Sequence, residues 1–229
     1  MENKYVIIVA AGTGSRVGGN LPKQYIPING KPILMYTIEK FYHAETKPEI
    51  VVVIAKEMEN LWNELCQEHE FQIPHHICFG GDSRFQSVKK GIDYIHYEIS
   101  ADSTEGVIAI HDAARPFLSS KLIDSLFLQV EKGHKAVIPA VRSSSSVRIG
   151  TLKINSAMDR EFVWLIQTPQ VFDAFVLKAA YKQQELPEFT DDASVVEKMS
   201  NNILIFPGEH ENMKITYESD LAIAQLLLM

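Results

Sequence analysis

The sequence predicts an α/β fold: a Rossmann-like, doubly wound, mostly parallel sheet with a protruding β-arm. Four short runs of apolar and β-branched residues read as buried strands, at residues 5–11, 50–55, 107–110 and 136–141. Between these runs apolar residues recur at helical spacing, as in the series Leu34, Ile38 and Phe41. Strands that alternate with helices are typical of a parallel sheet covered on both faces.

Residues 142–160 interrupt this alternation and are predicted to form the arm. They contain four consecutive serines at 143–146, then alternating polar and apolar residues with a turn at Gly150. An isolated two-stranded hairpin is only marginally stable in water, so we expect the arm to pack on a second copy of the chain. The sequence therefore predicts a homodimer formed through the arm.

Beyond the arm the pattern predicts one more strand and three helices. The strand covers residues 163–166, the first helix covers 173–184, the second is capped by Thr190 with Asp191 and Asp192 in its first turn, and the last starts at about Glu218. Thr190 is interpreted as the cap because a hydroxyl before a helix, followed by acidic residues, stabilises the helix N-terminus.

Composition limits the class of protein. The chain has 229 residues, 46% of them apolar, so we expect a single domain, residues 1–229, whose core needs no disulfide or structural metal. The 22 basic residues are outnumbered by 29 acidic ones, and the net charge of −7 argues against a nucleic-acid partner.

Two cysteines fit a reducing, cytoplasmic location. No apolar run approaches the roughly 20 residues that cross a bilayer, so no membrane partner is expected.

The first predicted strand ends in a glycine loop that two cations follow. Gly12 and Gly14 permit a tight turn whose backbone N–H groups can face an anion. Arg16 and Lys23 come next, and a guanidinium together with an ammonium group suits a polyphosphate. The dinucleotide fingerprint and the Walker pattern are both absent. A polyphosphate site of another kind and a solvated loop with incidental charges both fit this segment.

The segment GGDSRFQSVKKG leads into a helix. Ser83, with a glutamine three positions later, has the spacing of a capping box, so the helix is predicted to start at Arg84. Gly81 and Asp82 then lie in a loop at the helix N-terminus, with the hydroxyl of Ser87 nearby. A ligand-binding loop and an ordinary capped turn remain alternatives here.

Polar residues also follow the third predicted strand at its carboxyl end, where open α/β sheets bind ligands. Asp112 could hold a ribose hydroxyl or lie near a metal ion, and Arg115 could pair with a phosphate or with Asp112 itself. Lys214 lies between Met213 and Ile215 in a segment that reads as a strand. Its side chain is therefore predicted to face away from theirs, into solvent or into a cleft.

Seven motifs, in order, resemble one family. They are AAGTGSR, PKQY, GGDSR with Ser87, HDAARP, QTPQVF, TDDAS and NMKIT. From about Val6 to Leu228 the chain resembles the 2-C-methyl-D-erythritol 4-phosphate cytidylyltransferases of isoprenoid biosynthesis, whose fold is of the nucleotidyltransferase type. The resemblance implies transfer of the cytidylyl group of CTP to a sugar-alcohol phosphate in the presence of Mg²⁺, with release of pyrophosphate.

The resemblance also implies roles for individual residues. Nucleotide binding falls to Ala10, Ala11, Gly12, Gly14, Gly81, Asp82, Ser87, Asp112 and Ala113. The catalytic cations are Arg16, Lys23 and Lys214. Acceptor binding falls to Arg115, Ser146, Arg160, Thr168 and Lys214, with Arg160 reaching across from the partner's arm. The chain departs from the family in the arm, where Ser145 and Ser146 stand in place of the usual Asp-Thr pair, so one carboxylate is lost from the acceptor site.

The chemistry of the residues agrees with this reaction. A phosphate monoester is mostly a dianion at pH 7, so it needs no general base, and the absence of a nucleophile motif is expected. Positioning, cations and Mg²⁺ held mainly on the CTP phosphates would supply the catalysis. The Cys and His residues between 66 and 78 match no common zinc spacing, so no protein metal ligand is predicted.

Three other functions are alternatives to this one. Ribitol-5-phosphate could be the acceptor, because its cytidylyltransferases share many of the motifs. A non-catalytic module would bind CTP without releasing pyrophosphate. A nicotinamide-dependent oxidoreductase would need a third fingerprint glycine and an acidic residue after the second strand, where Ala55 and Lys56 stand.

Overall fold

A mixed, mostly parallel sheet forms the centre of the protein, in a computed structural model that describes residues 3–12, 21–100, 105–199 and 202–228. The strands are β1 (Lys4–Ala10), β2 (Pro27–Ile28), β3 (Lys31–Pro32), β4 (Glu49–Ile54), β5 (His76–Phe79), β6 (Val107–Asp112), β7 (Ala136–Arg142), β8 (Val147–Gly150), β9 (Asn155–Met158), β10 (Trp164–Ile166), β11 (Gln170–Asp173) and β12 (Leu204–Pro207). The α-helices are α1 (Ile33–Tyr42), α2 (Glu59–Glu68), α3 (Arg84–Tyr94), α4 (Ser120–Glu131), α5 (Ala174–Ala180), α6 (Asp192–Glu197) and α7 (Glu218–Leu227).

The order of strands in the sheet is β10-β7-β11-β6-β1-β4-β5, with β12 paired to β7. Strands β6, β1, β4 and β5 run parallel, β11 is antiparallel to β6 and β7, and β10 is antiparallel to β7. The predicted α/β fold with a mostly parallel sheet is therefore confirmed. Because neighbouring parallel strands end at the same edge, the loops after β1, β5 and β6 meet there.

Both faces of the sheet are buried, and β1 shows why. Val6 and Ile8 pack into one apolar core with the helices α1, α2 and α4, whereas Tyr5 and Ile7 pack into a second core with α3, α5 and α6. Alternate residues of a strand point to opposite faces, so a run of apolar residues fills both cores. Each fully buried aliphatic side chain contributes about 1.5–3 kcal/mol of transfer free energy. These cores fix the strand ends that carry the polar residues.

Several predicted boundaries need correction. Strands β5, β11 and β12 were not predicted, because runs of four residues carry little periodicity. Helix α5 ends at Ala180 rather than at residue 184. The cap of α6 is Asp191 rather than Thr190, since the Asp191 carboxylate accepts a hydrogen bond from the backbone N–H of Ser194. The segment around Lys214 is irregular and not a strand, and the Ile215 N–H donates to the carbonyl of Ala114 at 2.9 Å.

The arm is a separate antiparallel hairpin of β8 and β9, as predicted. Gly150 ends β8 with a φ of +128°, a conformation that L side chains rarely adopt. Ile149, Leu152 and Ile154 are exposed on the hairpin. The arm therefore presents apolar side chains that nothing in the described part of this chain covers.

No helix among the described residues combines the length and the apolar character that a bilayer span requires.

Candidate active site

A cavity of about 360 Å³ opens at the edge of the sheet where β1 and β6 end. Its lining comes from five stretches of the chain: Val9, Ala11, Gly12, Lys23, Gln24, Gly81, Asp82, Ser83, Arg84, Ser87, Asp112, Ala113, Ala114 and Lys214. The carboxyl ends of strands in open α/β sheets are the usual place for ligands. The cavity is therefore the candidate active site.

Many of the residues singled out in the sequence meet in this cavity. Those that line it are Ala11, Gly12, Lys23, Gly81, Asp82, Ser87, Asp112, Ala113 and Lys214. Ala10 is buried at the end of β1 directly behind the lining. Gly14 and Arg16 lie outside the described residues.

Asp112 is the electrostatic centre of the site. Its Oδ2 atom lies 2.9 Å from Nζ of Lys214 and 3.3 Å from Nε of Arg115, and its Oδ1 atom lies 3.8 Å from Nη2 of Arg84. Burial alone would raise the pKa of Asp112, but the three cations outweigh it and hold the pKa well below its usual range. Lys214 therefore faces the cavity, and Arg115 pairs with Asp112.

Lys23 and Lys214 are held next to each other although they are distant in sequence. Lys23 lies in a short 3₁₀ turn after Pro22, and its ammonium group donates a hydrogen bond of 2.8 Å to the carbonyl of Ile215. Because Ile215 follows Lys214 directly, this contact ties the two cationic segments together. Both ammonium groups line the same cavity.

Gln24 fixes the backbone of the glycine loop. Its side-chain amide is buried and donates to the carbonyls of Ala10 at 2.6 Å and Gly12 at 2.9 Å. Buried carbonyls that lack a donor are costly, so this amide determines the orientation of two peptide groups beside the cavity. Sequence reasoning missed Gln24, whose only signal was its place next to Lys23.

Ser87 supports the loop at the start of α3. Its hydroxyl accepts a hydrogen bond of 3.1 Å from the N–H of Gly81 and donates at 2.8 Å to the carbonyl of Ser83. Ser83 caps the helix by accepting from the backbone N–H of Gln86, as predicted. A Cβ on Gly81 would lie 2.5 Å from the Cβ of Gln86, so only glycine fits there. The segment is thus both a capped turn and a wall of the cavity.

Thr168 lies behind Asp112 and does not line the cavity. Its hydroxyl accepts from the backbone N–H of Asp112 at 3.1 Å and lies 3.1 Å from Nδ1 of His111. Nε2 of His111 lies 3.1 Å from the carbonyl oxygen of Arg115. A carbonyl oxygen can only accept a hydrogen bond, so this nitrogen carries a proton and donates it. This network assigns the proton to Nε2, so Thr168 donates to Nδ1. Burial, opposed by Asp112, lowers the pKa of His111 to about 3.

The two predicted residues of the arm region stand apart from the cavity of their own chain. Ser146 and Arg160 are both exposed, and Arg160 donates to the carbonyl of Ser144 at 3.1 Å. Neither side chain lines the cavity of its own chain.

Metal ligands are not grouped in the described part of the chain: no three His, Cys, Asp or Glu side chains lie together so that they could hold an ion. The carboxylate of Asp112 already contacts three cations.

Comparison with known proteins gives one consistent result. A sequence model of the IspD family, described as 2-C-methyl-D-erythritol 4-phosphate cytidylyltransferase, matches residues 5–229. The chain is 45% identical to the 2-C-methyl-D-erythritol 4-phosphate cytidylyltransferase of Bacteroides fragilis over 97% of this chain and 98% of that protein. It is 40% identical to the protein of the same name from Phocaeicola vulgatus, over 99% and 100% of the two chains.

Solved structures agree with the sequence comparison. The crystal structure of 2-C-methyl-D-erythritol 4-phosphate cytidylyltransferase from Francisella tularensis superimposes with a TM-score of 0.79 at 33% identity, covering 98% of this chain and 99% of that one. The 4-diphosphocytidyl-2C-methyl-D-erythritol synthase from Anaerococcus prevotii gives a TM-score of 0.80 at 26% identity, covering 98% and 96%.

Proposed function

Because the chain belongs to the 2-C-methyl-D-erythritol 4-phosphate cytidylyltransferase family, we propose that it transfers the cytidylyl group of CTP to 2-C-methyl-D-erythritol 4-phosphate. The products are 4-diphosphocytidyl-2-C-methyl-D-erythritol and pyrophosphate, a step of non-mevalonate isoprenoid biosynthesis. The observation that carries the proposal is the convergence of Lys23, Arg84 and Lys214 on one cavity in a chain of net charge −7.

The reaction joins two anions, and this is its physical difficulty. An oxygen of the acceptor phosphate attacks the α-phosphorus of CTP, a new P–O bond forms, and the bond to the β-phosphate breaks to release pyrophosphate. The attacking phosphate is already a dianion near neutral pH, so no side chain needs to remove a proton. The protein must instead align the two substrates and stabilise the charge on the equatorial oxygens.

The family resemblance implies a division of labour among these residues, and the shared cavity of most of them supports it. The glycine loop and the Gly81 to Ser87 wall would hold the cytosine base, and Asp112 with Ala113 would lie beside the ribose. Lys23 would hold the triphosphate together with Arg16, which follows from the family resemblance alone. Lys214 and Arg115, on the other side of Asp112, would receive the acceptor phosphate.

Mg²⁺ is proposed to enter with CTP as a counter-ion on its phosphate oxygens. Hard cations prefer oxygen ligands, and the triphosphate supplies several. Bound there, the ion would neutralise part of the charge that Lys23 and Lys214 also face. Pyrophosphate release should therefore stop in EDTA and return on addition of excess Mg²⁺.

The active unit is proposed to be a cytoplasmic homodimer of one domain, residues 1–229, joined through the arm at about 142–160. Leu152 and Ile154 are exposed on the hairpin, and Arg160 lies close to it. A partner that covers the arm would bury these apolar side chains and bring Arg160 and Ser146 to the neighbouring cavity.

Pyrophosphate release tests the reaction directly. CTP, UTP, ATP and GTP are each supplied with 2-C-methyl-D-erythritol 4-phosphate or with ribitol-5-phosphate, with and without EDTA. We expect release only from CTP with the methylerythritol acceptor and only with Mg²⁺. Pyrophosphate release with ribitol-5-phosphate but not with the methylerythritol acceptor would identify ribitol-5-phosphate as the acceptor. CTP binding without pyrophosphate release from any combination of nucleotide and acceptor would contradict the enzymatic proposal.

A further inference from the structure

A buried carboxylate outside the cavity holds one of its cations. Asp192, at the start of α6, is fully buried and does not line the cavity. It accepts hydrogen bonds from both Nη atoms of Arg84, at 2.8 and 2.6 Å, and from the hydroxyl of Tyr181 at 2.6 Å. A two-point bond between a guanidinium and a carboxylate fixes the plane and the direction of the guanidinium.

Arg84 thereby presents its guanidinium to the active site. Its side chain is 33% exposed and lines the cavity, and Nη2 lies 3.8 Å from Oδ1 of Asp112. Lys214 and Arg115 contact the other oxygen of the same carboxylate. Cations therefore balance the charge of Asp112 at both of its carboxylate oxygens, and Lys214 contacts only one of these oxygens.

This arrangement matters when substrate arrives. In the proposed reaction Lys214 and Arg115 receive the acceptor phosphate, which weakens both of their ion pairs with Oδ2 of Asp112. Removing the partner of a buried carboxylate is strongly unfavourable when no other cation remains beside it. Arg84 stays beside Asp112 because Asp192, which also accepts a hydrogen bond from Tyr181, holds its guanidinium in place.

We propose that Asp192 is a positioning residue that keeps Arg84 beside Asp112 and so frees Lys214 to serve the reacting phosphates. The proposal rests on the proposed function only in the identity of those phosphates. The compensation of Asp112 by Arg84 belongs to the ligand-free protein and can be measured without any turnover.

The first experiment uses stability in the full-length protein without substrates. Urea unfolding midpoints are measured for Lys214→Ala in the wild-type background and in the Arg84→Gln and Asp192→Asn backgrounds. The substitution should lower the midpoint more in either altered background than in the wild type, because Asp112 then lacks both Lys214 and a fixed Arg84 and keeps only Arg115. Equal shifts in all backgrounds would overturn the proposal, whether or not the protein is a cytidylyltransferase.

The second experiment uses turnover. In Asp192→Asn the kcat for pyrophosphate release should fall by about 10²-fold, the loss typical of a misplaced group, while the affinity for CTP measured by calorimetry stays within a few fold. The double variant Arg84→Gln/Asp192→Asn should be no slower than Arg84→Gln alone, because Asp192 acts through Arg84. Two results would mean that Asp192 serves the fold and not the site. One is that the losses in kcat of the two single variants multiply in the double variant, and the other is that Asp192→Asn lowers stability but leaves kcat unchanged.

A matched control is the neighbouring carboxylate. Asp191 caps the same helix and bonds to Gln170 and Ser194, not to Arg84. Asn is as good a cap as Asp, so Asp191→Asn should keep the wild-type kcat. Failure of the proposed function itself would show separately, as absence of pyrophosphate release by the wild-type protein.

Discussion

The ammonium group of Lys23 donates a hydrogen bond of 2.8 Å to the carbonyl oxygen of Ile215, which lies 192 positions later in the chain. The bond joins the loop after β1 to the segment that carries Lys214. Two cations from opposite ends of the sequence thereby acquire a fixed spacing at the edge of the sheet. Such preorganisation means that the protein need not gather these charges when the substrates arrive.

Replacement of Lys23 by Met should remove both the charge and this tie. We expect kcat for pyrophosphate release to fall by about 10³-fold or more, in the range known for single cations in phosphoryl transfer. Met keeps most of the aliphatic stem, so the loss of the hydrogen bond to Ile215 should lower the melting temperature by only a few degrees. Lys132→Met, at an exposed position at the end of α4, is the matched control and should keep full activity. Normal turnover of Lys23→Met would place the triphosphate elsewhere.

Gln24→Leu tests the support of the glycine loop. Leucine has a similar volume but no donor, so the carbonyls of Ala10 and Gly12 lose their partner. We expect the free energy of unfolding to fall by about 1–3 kcal/mol and the KM for CTP to rise. Urea denaturation and initial-rate kinetics measure the two effects. A KM equal to that of the wild type would show that these peptide groups do not bear on nucleotide binding.

His111 predicts a dependence of stability on pH. Its pKa is lowered to about 3 in the folded protein, against 6.5 for an ordinary histidine, so the unfolded chain binds the proton more readily. The contribution of neutral His111 is fully present above pH 6.5 and is lost as the pH falls toward 3, with a slope of at most about 1.4 kcal/mol per pH unit. His111→Gln should therefore flatten the fall in unfolding free energy between pH 6.5 and 5.

The control for this prediction is His134→Gln, because His134 is exposed between α4 and β7. Its stability profile should run parallel to that of the wild type over the same interval. An unchanged slope in His111→Gln would mean that the buried imidazole is already charged, which would contradict the hydrogen bond that Thr168 is inferred to donate to its Nδ1.

Mixed dimers test the role of the arm. Lys214→Ala and Arg160→Ala are each expected to be nearly inactive alone, because each removes a cation from every site. If a site combines Lys214 of one copy with Arg160 of the other, random mixing should restore about one quarter of the wild-type activity. No restoration after subunit exchange would place Arg160 at the site of its own chain or outside the reaction.

The sequence was informative where a general rule of α/β proteins applies. Strand ends at one edge of a parallel sheet collect ligand groups, so Asp112 could be assigned to that edge from the sequence. The start of α3 joined the same site only through the family resemblance, because β5 was not predicted. The prediction for Lys214 assumed the alternation of a strand, which this segment does not have, and its contact with Asp112 is what shows that the ammonium group faces the cavity. The cap at Ser83 followed from local spacing alone.

Other features depend on contacts that no local pattern records. Arg84 and Asp192 are 108 positions apart, and nothing in either segment indicates that they pair. The sequence suggested instead that Asp192 serves only the helix dipole. Thr168 carries the hydroxyl expected at an acceptor site, yet its hydrogen bonds run inward to Asp112 and His111. The direction of a side chain in the core is set by tertiary packing and cannot be read from composition or periodicity.

The most direct test of the account is the turnover of Lys214→Ala with CTP, 2-C-methyl-D-erythritol 4-phosphate and Mg²⁺, followed by pyrophosphate release. We expect kcat to fall by about 10³-fold or more while the variant keeps a cooperative unfolding transition. A variant that folds and turns over at nearly the wild-type rate would show that the cavity beside Asp112 is not where the two phosphates meet.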